Sequence, residues 1–598
     1  RDAFMERGIR MVERDKNHPG IIAWSLGNEA GMGENHVAIT RWIRKHEPTR
    51  PIYYRNGETH WSIDILGNPS YPSFEDIREV GERQLSRPLI VGEYAHAMGN
   101  AGSNLQEFWR LFRKYPTVQG GFIWDWIDQG LLKETEDGEP FYAYGGDYGY
   151  EPNDRNFCIN GMIFPDRTVQ PELYELKKCA QRIDIKPVNK MKGVFEVVNH
   201  YNFTNLEEYQ FIWKVFENGE VVQQGVLPAF GLPPGESEKV SVPFNKPQVK
   251  TGSEYHVELS FVLPEDKRWA PAGHEVAWAQ FELPYKTPPH EDLDLESLPR
   301  VLITEMVNQA VIKGSEFSIT FDKDQGAITS FRYDDRSLIE QGPRLDLFAP
   351  IIHNWNTHRV REEWRDLDSL DHRKRSVRVE LLKPQLARVS ISNFHALPQS
   401  SDGFSSETDY YVFGDGTIVV KQSISPRGDV PETVPRVGMK MELPGTFSRL
   451  SWYGMGPHES YPKRMSSTRL GVYSGRVEEQ YVPFVVPQEH GNKTQTRWAT
   501  LTRGDEKGLA LVGMPSLNFS VHQHDNLYEA QHLYELNETG TVILDIDHRV
   551  SDIDGRYELV EAKDYAWAFM LKPVLRSKPG PEDLRKEAFQ SVIERFEE

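Results

Sequence analysis

The sequence predicts a multidomain chain, an α/β region with a parallel sheet followed by all-β domains. Three observations carry this reading. Residues 1 to about 184 alternate short apolar runs with amphipathic helical stretches, the pattern of a parallel sheet covered by helices. After residue 185 the period of the apolar positions changes to two, as in antiparallel strands. At 598 residues the chain also exceeds what a single core supports.

The elements follow in order. A helix over 1–15 leads to the strand IIAWSL (21–26) and then to the amphipathic helix ENHVAITRWIRKH (34–46). PIYY (51–54) and DILG (64–67) are short strands, FEDIREVGERQ (74–84) a helix and PLIVGE (88–93) a strand. LQEFWRLFRKY (105–115) places its large apolar residues on one helical face. QGGFIWDW (119–126) is the fifth strand, and PELYELKKCAQ (171–181) closes the region. A sandwich of immunoglobulin size fits 185–285. Within it YQFIWKVFENGEVVQQGVL (209–227) is a hairpin turning at Asn218-Gly219, and HVELSFVL (256–263) alternates. KTPPHEDLDLESLP (286–299) reads as a linker, 300–574 as a large β domain, and 575–598 as a solvated helical tail. The first residues, RDAFMERGIRMVERD, lack an initiator Met and start inside a helix, so the chain is expected to be the later part of a longer polypeptide.

Composition narrows the partners. A formal charge of −20 opposes nucleic acid and anionic membranes as ligands, and no apolar run approaches the ~18 residues of a membrane span. With Cys158 and Cys179 as its only cysteines, the chain has no disulfide framework or Cys-rich metal site. Its 14 Trp and 25 Tyr suit a flat, polar-edged ligand such as a sugar.

Two apolar runs end on carboxylates: SLGNEAG presents Asn28 and Glu29, and PLIVGEYAHAMGN presents Glu93 and His96. In parallel α/β folds ligands sit outside the carboxyl ends of the strands, where Tyr71, Trp124, Asp125 and Trp126 also fall. A pair of carboxylates beside aromatics suits glycoside hydrolysis, one acid protonating the leaving oxygen while the other supports the oxocarbenium-like centre. Three strand spacings in an open sheet would separate them by ~14 Å, whereas a retaining mechanism needs about 5 Å. Closure into an eight-stranded barrel removes the discrepancy, and this chain supplies five strands. Plainer alternatives exist for each residue. Either glutamate alone suits a helix cap, His96 a structural histidine, and Trp124 with Trp126 one packed face, Asp125 then pointing outward. FCING (157–161) reads as an ordinary loop, and His353 and HQHD (522–525) as surface residues.

NHPGIIAWSLGNEAG, RPLIVGEYAHAMGN, QGGFIWDWIDQG, YGGDYG, PNDRNFCINGMIF and YGMGPHESYPKR together resemble the large, lactose-cleaving β-galactosidases of glycoside hydrolase family two. The resemblance implies the carboxyl-terminal part of a (β/α)8 TIM barrel, an immunoglobulin-like β-sandwich and a large galactose-mutarotase-like β-sandwich. It makes Glu29 the acid/base and a Mg2+ ligand, Glu93 the nucleophile and Tyr71 an aid to departure of the galactosyl group. Asn28 and His96 would hold sugar hydroxyls, Trp124 would lie under the ring, and the Phe157 carbonyl with Asn160 would bind Na+. It further implies a β-galactoside substrate, a homo-oligomer, and a missing N-terminal segment carrying three barrel strands and the remaining magnesium ligands. A cytoplasmic location is expected, with the periplasm as the alternative. FAPIIHNWN (348–356) departs from the family pattern, and Val542 or Ile543 stands where the family places an aromatic platform. The rival readings are a β-glucuronidase or β-mannosidase of the same family, and a non-catalytic galactoside-binding or assembly subunit of a split enzyme.

Overall fold

The computed structural model describes the whole chain except residues 56–59, 69–70, 84, 229, 289–292, 351–362, 555–556, 577–585 and 598. It forms two compact units, Arg1–Cys179 and Ala180–Glu598.

The first unit holds a parallel five-stranded sheet in sequential order: β1 (Trp24–Ser25), β2 (Ile52–Tyr54), β3 (Ile65–Asn68), β4 (Leu89–Tyr94) and β5 (Val118–Ile123). The register runs Trp24↔Ile52, Tyr53↔Ile65, Leu66↔Leu89 and Leu89↔Val118. Helices α1 (Asp2–Asp15), α2 (Glu34–His46), α3 (Phe74–Glu82), α4 (Leu105–Lys114) and α5 (Pro171–Ala180) accompany it. Each helix follows its sequence signal. Ser73 caps α3 by accepting from the Asp76 N–H, while the Asp76 side chain accepts from the Ser73 N–H, a reciprocal box. Leu105, Phe108, Leu111 and Phe112 of α4 pack with Leu89, Val91, Tyr94 and Val118 of the sheet.

Two strands are shorter than the sequence suggests. β1 keeps only Trp24 and Ser25 of the run 21–26, because it is an edge with a partner on one side, and Ile22 is 77% exposed. β5 ends at Ile123, so WDW lies outside the strand, and Trp124 and Trp126 are both exposed rather than packed as one buried face.

A short antiparallel hairpin, β6 (Leu131–Glu134) with β7 (Pro140–Ala143), follows in the first unit, and the second unit begins with a seven-stranded sandwich. One sheet orders β11 (Glu220–Val226), β10 (Gln210–Glu217), β13 (Tyr255–Val262) and β14 (Glu275–Glu282); the other orders β12 (Ser237–Ser241), β9 (Val194–Asn199) and β8 (Ile183–Asn189). The β10–β11 turn uses Asn218 and Gly219 at positive φ, as the Asn-Gly pair requires. β13 alternates in sequence yet is buried on both faces. Its polar side is covered because Arg469, from the strand Arg469–Arg476, pairs with Glu258 at 3.4 Å and lies over Trp278.

Residues 302–339 then form a five-stranded antiparallel meander, and 341–574 carry a twelve-stranded antiparallel sheet around one large core. Val542 and Ile543 are buried inside the strand Glu538–Val550. The HQHD run is only partly at the surface: Asp525 is exposed, whereas His522 is 3.3 Å from buried Asp545 and its ring lies beside that of His490. His353 lies outside the described residues.

The tail also differs from a solvated helix. In Lys586–Glu597 the residues Ala588, Phe589, Val592 and Ile593 are buried, with Phe589 edge-on to Phe413. Its sequence places these apolar side chains on one helical face, and that face has a partner. Phe589→Ala should therefore destabilise the second unit by about 3 kcal/mol, read as a lower urea midpoint at unchanged slope. An exposed tail would show no change.

Candidate functional site

Because the five strands are parallel and adjacent, their carboxyl ends share one edge, and every residue singled out there follows a strand. Asn28 and Glu29 come after β1, Tyr71 after β3, Glu93 within the end of β4 and His96 just beyond, and Trp124 after β5. Three non-glycine residues, Glu29, Tyr71 and Ala95, adopt left-handed φ values of 50, 52 and 50° at these exits. Such conformations in side-chain-bearing residues concentrate at binding and active sites.

The residue that joins them was missed by sequence reasoning. Arg55, directly after β2, is buried, and its Nη1 donates to Asn28 Oδ1 at 2.7 Å and to Glu93 Oε1 at 2.5 Å. Its Nη2 donates to Glu29 Oε1 at 2.9 Å. One planar fork thus holds both carboxylates, the geometry for which arginine is suited. The separation feared for an open sheet does not arise, since Arg55 reaches across β3 to β4. Two glycines make room for it. A Cβ on Gly67 would stand 2.2 Å from Arg55 Cα, and one on Gly92 would stand 2.6 Å from Arg55 Cγ and Cδ. The available signal was PIYYR itself, an apolar run ending on a charge at the same strand end as the glutamates.

Around this pair the side chains differ in exposure. The Glu93 side chain is 15% exposed and that of Glu29 66%, so one carboxylate is sheltered and the other faces solvent. Tyr71 is tied to Glu93 twice, by its N–H to the Glu93 carbonyl at 2.8 Å and by its hydroxyl to the carboxylate. Burial, reinforced by the charge of Glu93, pushes the Tyr71 phenol well up, so it remains a hydrogen-bond donor. Tyr53, beneath Arg55, is pushed up to about 12, chiefly by burial.

His96 is buried, with its ring edge-on to Tyr71 at 5.6 Å and 5.7 Å from Phe157. FCING is therefore part of the site's wall. Asn160 donates through Nδ2 to the Phe157 carbonyl at 3.0 Å, and its buried Oδ1 has no hydrogen-bond partner among the described residues. The loop is laced to the WDW turn: the Asp125 N–H donates to the Asn160 carbonyl at 2.6 Å, and the Met162 N–H reaches the Asp125 and Trp126 carbonyls. Asp125 itself shapes the turn, accepting from Gln129 Nε2 at 2.8 Å.

Nearby, Asp128 accepts from the Gly161 N–H and from Gln170 Nε2, each at 2.7 Å. A Cβ on Gly161 would stand 2.1 Å from the Asp128 nitrogen, so only glycine permits this approach.

The cation-binding groups differ in fit. Among the described residues no group of three or more His, Cys, Asp or Glu side chains could hold a metal ion. Glu29, the magnesium ligand that the resemblance implies, is already engaged by Arg55. Asn160 Oδ1 and the Phe157 carbonyl are hard, uncharged oxygens of the kind sodium takes, and the open Oδ1 is consistent with such an ion.

The fold and site define a class, a parallel α/β unit with a two-carboxylate site outside its strand ends, joined to β-sandwich domains. Comparison with known proteins narrows it. Residues 1–185 match the model for the glycosyl hydrolases family 2 TIM barrel domain, 195–284 that for β-galactosidase domain 4, and 313–554 that for the β-galactosidase small chain. The chain is 35% identical over 592 residues to a β-galactosidase of Priestia megaterium, covering 96% of this chain and 56% of that protein. A β-galactosidase of Vibrio vulnificus is 30% identical over 626 residues, covering 96% and 58% respectively. One of Psychromonas ingrahamii is 32% identical over 568 residues, covering 90% and 54%. Residues 1–185 thus carry the family 2 glycosyl hydrolase barrel domain, and the chain spans somewhat over half the length of these curated relatives.

Asp128 yields a pH prediction. Burial, opposed by the Gly161 hydrogen bond and reinforced by Glu172, pushes its carboxyl up to about 7. Between the unfolded pKa near 4 and about 7 the native state holds a proton that the unfolded state has released. Stability should therefore fall as pH rises through this window, by a few kcal/mol at most. Asp128→Asn keeps an acceptor for Gly161 and can donate to a turned Gln170 amide, so its melting temperature should lose most of this slope between pH 4 and 7. Parallel melting curves for parent and variant across that range would contradict it.

Proposed function

We propose that this chain carries the galactose-cleaving site of a retaining β-galactosidase, acting on terminal non-reducing β-D-galactose residues, lactose included, by double displacement. The observation that carries this reading is the placement of Glu29 and Glu93 on one guanidinium at the sheet's carboxyl edge. Relatives named β-galactosidases support the sugar.

In the first step a Glu93 oxygen attacks the anomeric carbon while Glu29 gives its proton to the departing glycosidic oxygen. The sheltered carboxylate suits the nucleophile, and the exposed one suits exchange of protons with leaving group and water. In the second step water attacks the anomeric carbon, its proton passes to Glu29, and the ester bond to Glu93 breaks. The Tyr71 hydroxyl, held on Glu93, steadies the carboxylate as it is released from the sugar. Asn28 and His96 offer polar atoms to sugar hydroxyls, and the exposed Trp124 face suits the apolar side of the ring.

A sodium ion held by Asn160 Oδ1 and the Phe157 carbonyl would supply a fixed positive charge beside the ring hydroxyls. Glu29 can serve magnesium only alongside ligands from elsewhere, and no step depends on it here. Strands β1 and β5 are open edges, and exposed Ile22 and Phe122 flank them. A closed barrel takes eight parallel strands, so the site is complete when a further segment, corresponding to the part of the relatives that this chain does not match, adds the others.

Two experiments test the reading. Glu93→Gln in the complete enzyme should remove nearly all turnover while leaving galactose affinity within a few-fold, and a fluorinated galactoside should label Glu93 in the parent. Label on another residue would sink the assignment. Residues 1–598 alone should hydrolyse a chromogenic galactoside at least a hundredfold more slowly than with the missing segment added, since an open site lacks preorganised, water-excluding surroundings. Equal rates would show that the barrel edges need no partner.

A further inference from the structure

We propose that Arg55 is a positioning residue that passes from one carboxylate to the other between the two chemical steps. The proposal rests on the reading of Glu93 as nucleophile and Glu29 as acid/base, and concerns a residue to which the resemblance assigned no role. Before reaction the guanidinium is shared: Nη1 holds Glu93 and Asn28, and Nη2 holds Glu29. Its side chain is only 3% exposed, and Gly92 leaves the room its Cγ and Cδ fill.

The sharing has a consequence for each step. A carboxylate bound by a cation is oriented, and Glu93 gains that orientation for attack on the anomeric carbon. When the Glu93–carbon bond forms, Glu93 becomes an uncharged ester and ceases to be a strong acceptor. Arg55 keeps its charge, and the remaining anion within its reach is Glu29, which has just given its proton to the leaving group. The full strength of the fork then falls on Glu29 and orients it toward the attacking water. Once water has added, its proton lies on Glu29, the ester bond has broken, and Glu93 regains its charge and its place on Nη1. Arg55 thus contributes most to the second step, where its partner must be an anion. In the first step it also competes with the proton that Glu29 must carry, which offsets part of its benefit.

The test uses the complete enzyme with Arg55→Ala, Arg55→Lys and, as control, Glu93→Gln. Arg55→Ala should lower kcat about a hundredfold, make kcat independent of leaving group across a series of aryl galactosides, and produce a burst of released phenol. Guanidinium ion at tens of millimolar should restore part of the lost kcat, as the vacated space accepts it. Arg55→Lys, which keeps the charge without the fork, should fall between parent and Ala variant, and it carries the test if the Ala variant does not fold. A kcat within twofold of the parent would overturn the proposal. So would a loss that tracks the leaving group, shows no burst and is unmoved by guanidinium. If Glu93→Gln retains turnover, the functional reading itself fails and Arg55 is not at issue.

Discussion

The site depends on one constraint, the sequential parallel register of β1 to β5. Parallel strands joined by helices must all run the same way, so their carboxyl ends fall on one edge. Residues far apart in the chain, Asn28 and Glu29 after β1 and Glu93 on β4, are thereby brought to one guanidinium, that of Arg55. The register also decides which strand offers the tether. β2 sits between β1 and β3, and its following residue, Arg55, is therefore placed to reach Glu29 on one side and Glu93 on the other.

Packing makes that reach possible. A guanidinium inside a sheet edge needs both a cavity and partners, because an unpaired buried charge is strongly unfavourable. Gly67 lets the Arg55 backbone approach, Gly92 leaves room for its side-chain stem, and three oxygens provide the partners. The same logic governs the loop beyond β5. Gly161 lets its backbone meet Asp128, and the resulting ladder fixes Phe157 and Asn160 against the turn that presents Trp124.

Much of this was legible in the sequence, and the remainder fails for identifiable reasons. Strand identity and order in the first unit follow from apolar runs alternating with helical periodicity, a local signal. The Asn218-Gly219 turn is equally local. The role of Arg55 is not local: a charge after a short strand carries no mark of what it will meet, and only the packed sheet reveals Glu29 and Glu93 beside it. Strand lengths are misjudged where pairing stops. β1 is shortened by its edge, and β5 ends where WDW turns away to meet FCING. The final helix was read as solvated because its partner lies far along the chain, Phe413 for Phe589, and the alternation of β13 carries no mark of Arg469 covering Glu258.

The second unit supplies a comparison that separates a reactive cluster from a structural one. There Arg436 gathers Glu489 at 2.5 Å and Asp545 at 3.2 Å, with Asp346 and Asp547 each at 3.7 Å. The device is the same as at Arg55, one buried guanidinium collecting carboxylates from different strands. The surroundings differ. Around Arg436 every carboxylate side chain is at most 12% exposed, and His522 of the HQHD run closes on Asp545. Buried networks of this kind contribute little net stability over an apolar core, and their value lies in fixing which strands meet. Around Arg55, by contrast, Glu93 is sheltered while Glu29 is 66% exposed. One partner of that arginine, Glu29, is open to solvent, whereas the partners of Arg436 among the described residues are at most 12% exposed. Exposure of one carboxylate, rather than the presence of a cluster, is what supports the first unit's edge as the proposed place of chemistry.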